Sequence, residues 1–152
     1  MTAPDVVTEM FAAYRTSLDS LEGKLGNAFS DAVDLLEGMS GTVVVCGMGK
    51  SGLVGAKITA TLTSTGTPSV FLHPAEAMHG DLGIVRKGDV IILISNSGET
   101  EEITRLLPAL KRLAVRIIAL VGNVDSTMAR AADICLDAAI DKDRKSTRLN
   151  SS

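Results

Sequence analysis

Aromatic side chains are almost absent from this 152-residue sequence: 3% of its residues are Phe, Tyr or Trp, and there is no Trp. A basic excess is absent as well, because 15 Lys and Arg stand against 18 Asp and Glu, for a formal net charge of -3. Surfaces that bind nucleic acid combine basic patches with aromatic stacking platforms. The composition therefore argues against a nucleic-acid partner, and it predicts a core of Val, Ile, Leu, Ala and Met.

Cysteines are few, and long apolar segments are missing. Cys46 and Cys135 both fall in apolar runs, so we expect buried, reduced thiols, which fit a reducing cytoplasm. No run approaches the ~20 apolar residues that cross a bilayer, and the N-terminus lacks the basic and apolar regions of a signal peptide. The sequence predicts a cytoplasmic protein without a membrane span.

Strand and helix patterns alternate along the chain. The unbroken apolar runs are typical of parallel strands that are buried on both faces. A helical pattern over residues 5–37, interrupted at Gly23 and Gly26, predicts an N-terminal helical arm, and another runs from about residue 101 to 113 with a bend at Pro108. The fold class predicted is α/β, a five-stranded, mostly parallel sheet with helices on both faces, preceded by the arm. The five strands are expected at residues 42–46, 69–72, 90–94, 116–121 and 134–136.

A glycine-rich turn follows the first predicted strand. Its spacing fits the dinucleotide fingerprint, but the acidic residue that would bind the ribose is missing at the end of the 69–72 strand. Val44 excludes a triphosphate-binding loop, which needs glycine at that position. The turn therefore predicts another kind of anion site, with Lys50 and Ser51 at a helix N-terminus. The glycines are Gly47, Gly49 and Gly52.

A second polar turn follows the third predicted strand. Helix N-termini have unpaired N–H groups and a positive dipole end, and hydroxyl groups add donors, so this turn is typical of a phosphate cradle. Glu99, Glu101 and Glu102 could complement the helix dipole or supply a base, and their spacing leaves open which one does so. The turn reads Ser95-Asn96-Ser97-Gly98-Glu99-Thr100.

The sequence contains two histidines. For His73, which precedes a proline at a strand end, we expect a local hydrogen bond. His79 shares a predicted helix face with Glu76, but two ligands without a third are a weak basis for a metal site, and we predict none. A lone polar histidine before Gly80 is as well suited to proton handling.

Five segments, at residues 47–52, 64–68, 73–83, 94–100 and 126–133, together resemble the sugar isomerase (SIS) domain of the arabinose-5-phosphate isomerase family. The resemblance covers about residues 40 to 140. It implies an SIS phosphosugar-binding domain over residues 1–140, with a flavodoxin-like or Rossmann-like sandwich. It also implies interconversion of ribulose 5-phosphate and arabinose 5-phosphate, a step that feeds Kdo synthesis for lipopolysaccharide or capsule.

Residue roles follow from the same resemblance, position by position. It implies that Lys50 stabilises developing charge, that His79 handles a hydroxyl proton and that Glu102 is the base. It further implies a sugar phosphate as substrate, no cofactor, and a homodimer or homotetramer to which the N-terminal arm contributes. The phosphate site implied consists of Gly49, Ser51, Ser95, Asn96, Ser97 and Thr100.

Residues 141–152 depart from the family pattern, which continues with a glutamate-cysteine-proline loop, a long helix and a second active-site histidine. Six of these twelve residues are charged and no apolar period continues, so we expect a disordered or non-native tail. We also expect a domain truncated at its C-terminus, no CBS domains, and little or no isomerase activity for this chain.

Two alternatives remain open at this point. A non-catalytic phosphosugar-binding regulator would be expected to have a DNA-binding helical domain ahead of the cradle, whereas residues 1–40 contain two basic residues, Arg15 and Lys24. A phosphosugar isomerase of another pathway would differ in stereochemistry, which the sequence does not resolve.

Overall fold

The computed structural model describes residues 2–139, which form one five-stranded sheet. The strand order is β2-β1-β3-β4-β5 and each of the neighbouring pairs is parallel. This is the order of the flavodoxin-like doubly wound fold, so the predicted α/β class and parallel sheet are confirmed. The strands are β1 (Val43–Gly47), β2 (Ser69–Leu72), β3 (Val90–Ser95), β4 (Arg116–Val121) and β5 (Ile134–Asp137).

Helices cover both faces of the sheet, as predicted. Alternate residues of each strand point to opposite faces. Val44, Ile91 and Ile117 pack with residues from α3 to α6 on one face, whereas Val45 and Ile92 pack with residues of α1 and α2 on the other. The helices are α1 (Ala3–Glu37), α2 (Lys50–Ser64), α3 (Pro74–Met78), α4 (Glu101–Thr104), α5 (Leu107–Arg112) and α6 (Thr127–Ala131), with a 3₁₀ helix at Asp81–Ile84.

The N-terminal arm is the long helix α1, and it has one break rather than two. Gly26 has φ 43° and ψ -154°, while Gly23 keeps helical geometry, so the predicted interruption at Gly23 is wrong. Just before the break, Lys24 Nζ donates to the carbonyl of Ala139 at 2.8 Å, and beyond the break Ala32 is buried against the sheet. None of the described helices is long and apolar enough to cross a membrane.

The helix predicted over residues 101–113 is two short helices instead. α4 ends at Thr104 and α5 begins at Leu107, so the break precedes Pro108 rather than centring on it. Proline has no N–H to donate, and its ring crowds the carbonyl four residues earlier, which is that of Thr104. The helix therefore stops one turn before the proline and restarts with the proline in its first turn.

The thiols differ in burial. Cys46 lies at the centre of the sheet, where burial raises its pKa to about 12. Cys135 is half-buried, short of the full burial predicted, and burial also raises its pKa. Both are free. The tail predicted at residues 141–152 lies outside the described residues.

Candidate functional site

The site predicted from the sequence lies at the carboxyl edge of the sheet. β1 pairs with β2 on one side and with β3 on the other, where Gly47 stands opposite Ile94. The connections after β1 and β3 leave the sheet in the crevice where strand order reverses, and this is where doubly wound folds bind ligands. The turn at residues 49–51 and the 95–100 loop therefore flank the same crevice.

The turn after β1 brings α2 very close to the strand. A Cβ on Gly52 would stand 2.8 Å from the carbonyl oxygen of Gly47, and one on Gly55 would stand 3.1 Å from the ring of Phe71. Gly49 has φ 59°, a conformation that favours glycine. These glycines are thus required by close packing and backbone geometry, without any dinucleotide. Lys50 is exposed and Ser51 half-buried at the start of α2.

The 95–100 loop folds around the buried hydroxyl of Ser95. Ser95 Oγ accepts from the N–H of Gly98 at 3.0 Å and lies 2.7 Å from Thr100 Oγ1. Ser97 Oγ lies 3.4 Å from Ser95 Oγ and accepts from the N–H of Glu99 at 3.1 Å. The structure thus brings the three predicted hydroxyl residues into one network, with Asn96 and Ser97 exposed.

A second loop, between β4 and α6, braces the first. The N–H of Gly122 donates to the carbonyl of Asn96 at 2.9 Å, and the N–H of Met128 donates to the carbonyl of Gly98 at 3.1 Å. Gly98 has φ 67°, and a Cβ there would overlap Ser126. Ser126 itself caps α6 through its Oγ, which accepts from the N–H of Ala129.

Glu99 takes part in this brace, a role that the sequence reasoning missed. Its Oε1 accepts from the N–H of Thr127 at 2.6 Å. That backbone hydrogen bond, then one from the Thr127 side chain, and the nearby charge of Arg130 hold the pKa of the Glu99 carboxyl below its usual range. The signal in the sequence was indirect: residues 126–133 belong to the segments that resemble the SIS domain.

The remaining predicted residues lie on neighbouring elements. His73 Nδ1 accepts from the N–H of Ala75 at 3.2 Å, which confirms the local hydrogen bond predicted for it. His79 ends α3 and is exposed, and Glu102 is half-buried in α4. α3 packs against α4. His79 and Glu102 therefore lie on one side of the crevice, on the connections that follow β2 and β3. Within residues 2–139 no group of three or more His, Cys, Asp or Glu is placed to hold a metal ion.

The fold and this edge define a doubly wound α/β domain with a hydroxyl-rich loop at its switch point. A family model described as "SIS domain" matches residues 39–151, and the chain belongs to the SIS domain family.

Relatives within the family have been named or solved. The chain is 54% identical over 126 residues to the arabinose 5-phosphate isomerase KdsD of Pseudomonas aeruginosa, and the match covers 83% of this chain and 39% of that relative. A solved protein of Escherichia coli CFT073, in complex with arabinose 5-phosphate, is 38% identical with a TM-score of 0.79, covering 93% of this chain and 77% of that chain. The chain spans about 40% of the length of the curated relatives it matches.

A regulator shares the fold. The sugar isomerase domain of an RpiR transcription factor from Sphaerobacter thermophilus has a TM-score of 0.69, with 23% identity over 86% of this chain and 75% of that one. At that identity the likeness concerns the fold alone.

Proposed function

We propose that the protein is an aldose–ketose isomerase that interconverts D-ribulose 5-phosphate and D-arabinose 5-phosphate. One observation carries the proposal: the Lys50 turn and the 95–100 loop flank one switch-point crevice, in register through Gly47 and Ile94. The 54% identity to a relative named as an arabinose 5-phosphate isomerase supports the substrate.

The 95–100 loop would hold the phosphate. Ser95, Asn96, Ser97 and Thr100 would supply neutral donors, and Gly49 and Ser51 would add to the site from the turn at the start of α2. Neutral donors suit a phosphate because they satisfy its oxygens without fixing one charge state. The resemblance to the family assigns these roles, and the hydrogen-bonded network around Ser95 supports them.

The reacting carbons would lie toward Lys50, His79 and Glu102. A base takes the proton from the carbon next to the carbonyl, which gives an enediol, and the proton returns to the neighbouring carbon. We assign Glu102 as that base, Lys50 as the cation that stabilises the developing oxyanion, and His79 as the group that moves the hydroxyl proton. The scheme needs neither metal nor cofactor.

The wider setting is part of the proposal. The product would feed Kdo synthesis for lipopolysaccharide or capsule, in the cytoplasm. The protein would act as a homodimer or homotetramer, since the first half of α1 presents a row of exposed apolar side chains that a second copy would cover: Val6, Val7, Met10, Phe11, Tyr14 and Leu18.

Turnover of ribulose 5-phosphate tests the proposal. The chain is assayed alone and after fusion to the C-terminal remainder of the Pseudomonas relative, with Lys50→Met as the inactive control. We expect the fusion to convert ribulose 5-phosphate to arabinose 5-phosphate and the control to lose that conversion. Failure of the well-folded fusion to turn over any pentose 5-phosphate would rule the isomerase out.

A sugar-phosphate-sensing module is the second candidate, because the same fold occurs in the regulator's sugar isomerase domain. It predicts binding of a sugar phosphate by the fusion without isomerisation. Titration calorimetry of the same samples measures this binding, and its comparison with the turnover assay separates the two functions.

A further inference from the structure

Glu99 is the carboxylate of the 95–100 loop that reaches beyond its own strand–helix unit. Its Oε1 accepts from the N–H of Thr127, the first residue of α6 and 28 positions along the chain. The sequence suggested that such a glutamate would complement the dipole of its own helix or act as a base. Its contact with α6 points to a different role.

The contact belongs to a three-point attachment. The carbonyls of Asn96 and Gly98 accept from the N–H groups of Gly122 and Met128, and Glu99 accepts from Thr127. These bonds join the 95–100 loop to Gly122 of the β4–α6 loop and to the first two residues of α6. Of the three, the Glu99 bond is the one made by a side chain, so a substitution can remove it without altering the backbone.

The attachment leads directly to the hydroxyls of the cradle. The N–H of Glu99 donates to Ser97 Oγ, and the N–H of Gly98 donates to Ser95 Oγ. A shift of Glu99 would therefore move the donors that orient both hydroxyls. Hydrogen bonds fix direction as well as distance, and their strength falls steeply with misalignment.

The charge of Glu99 also fits a positioning role better than direct contact with the ligand. A carboxylate beside a phosphate site repels the ligand unless nearby donors or cations compensate its charge. Here the carboxylate faces the Thr127 N–H, and Arg130 lies near enough to stabilise its ionised form. The loop thus keeps an ionised glutamate while that charge is engaged by α6.

We propose that Glu99 is a positioning residue for phosphate recognition: it fastens the 95–100 loop to the first residue of α6 and so fixes the Ser95 and Ser97 hydroxyls in the arrangement that receives the phosphate oxygens. The inference rests on the proposed sugar-phosphate site. It adds a residue that acts on the ligand through others.

Substitutions at both ends of the bond isolate it. Glu99→Ala removes the acceptor, whereas Glu99→Gln keeps an acceptor oxygen without the charge. Thr127→Pro removes the donor, and proline fits this position because Thr127 is the first residue of a helix and follows the extended Ser126, with φ -79° and ψ 165°. Thr127→Ala keeps the N–H. Glu101→Ala is the matched control, since Glu101 is exposed and pairs with Arg105.

The experiment measures Kd for arabinose 5-phosphate and for inorganic phosphate by calorimetry, with kcat and KM on the fusion protein. We expect Glu99→Ala and Thr127→Pro each to raise Kd and KM about five- to tenfold, with kcat changed less than about twofold. For Glu99→Gln we expect Kd and KM to lie between those of these two variants and those of the parent protein. The Glu99→Ala/Thr127→Pro double variant is no weaker than either single variant, as expected when both remove one interaction.

The binding and turnover measurements together test the role of Glu99 and the isomerase proposal separately. If Glu99 had a purely structural role, Glu99→Ala would lower the number of binding sites per chain, or lower kcat and affinity together, and Glu99→Gln would not restore Kd. That result overturns the inference, and so does an unchanged Kd in Glu99→Ala. If the variants bind phosphate ligands more weakly, as expected, but the parent fusion shows no turnover, the positioning role of Glu99 is upheld and the isomerase proposal is overturned. Turnover with unchanged Kd in the variants upholds the isomerase alone. A parent protein that binds no phosphate ligand overturns both.

Discussion

Lys50 begins α2 at the carboxyl end of β1, with an exposed side chain. Cations that meet charge as it develops in a transition state contribute more to kcat than to binding. We expect Lys50→Met to lower kcat by about 10²- to 10³-fold and to change Kd for arabinose 5-phosphate much less. Lys57→Met, at an exposed position of the same helix, is the control and should keep full activity. Equal losses in kcat and affinity would place Lys50 in the phosphate site instead.

Gly98 is the residue whose substitution tests the cradle's packing. Its φ of 67° disfavours any L side chain, and a Cβ would also overlap Ser126. Gly66 has φ 94° with open space around it, so Gly66→Ala carries the backbone strain alone. We expect Gly66→Ala to lower the free energy of unfolding by about 1 kcal/mol and Gly98→Ala by about 2–4 kcal/mol. Urea denaturation of the two variants measures both values, and equal losses would contradict the overlap at Ser126.

At the residue scale, the sequence predicted those contacts that form between close neighbours in the chain. The serines and threonine of the 95–100 loop, the glycines before α2 and the His73 hydrogen bond all depend on neighbours within a few positions. The contact of Glu99 was not predicted because its partner, Thr127, is 28 residues away and contributes a backbone N–H, which every residue type except proline has. A side chain that serves a distant backbone group leaves no local pattern.

At the scale of elements, all five strands were predicted within a residue of their bounds, including the short edge strands β2 and β5. β1, β3 and β4 were predicted within a residue of their bounds because their interior positions are buried on both faces and admit only apolar side chains. The division between α4 and α5 was missed because helical periodicity continues through it. The break comes from the proline's effect on Thr104, a backbone effect that the apolar pattern does not carry.

α1 offers a paired test of this backbone control. Gly26 has a conformation that L residues rarely adopt, with φ 43° and ψ -154°, whereas Gly23 is helical and a Cβ there meets nothing within 4 Å. We expect Gly26→Ala to lower the free energy of unfolding by about 1–3 kcal/mol and Gly23→Ala to raise it by about 0.5–1 kcal/mol. Chemical denaturation with matched m-values measures both. Stabilisation by Gly26→Ala would mean that α1 gains from being straight.

For the molecule as a whole, the proposed assembly would use the first half of α1. Phe11, Tyr14 and Leu18 are 52%, 59% and 64% exposed and recur three and four positions apart, so they share one helix face. Contiguous apolar surface of this kind marks an interaction site. We expect Leu18→Glu to convert the oligomer to monomers at micromolar concentration, as measured by light scattering. Thr16→Glu, exposed on another side of the helix, should leave the mass unchanged. Monomers in the parent protein would contradict an assembly through α1.

The bond between Lys24 and Ala139 joins positions 115 residues apart and ties the arm to the segment just after β5, the last strand of the sheet in chain order. During synthesis, α1 precedes β5, against which it packs, by roughly ten seconds at about 5–20 residues per second. In that interval α1 can reach the earlier strands β1, β3 and β4, against which it also packs, while its contacts with β5 cannot yet form. The side of α1 that β5 covers in the folded protein therefore stays uncovered in the nascent chain until the last strand of the sheet is made.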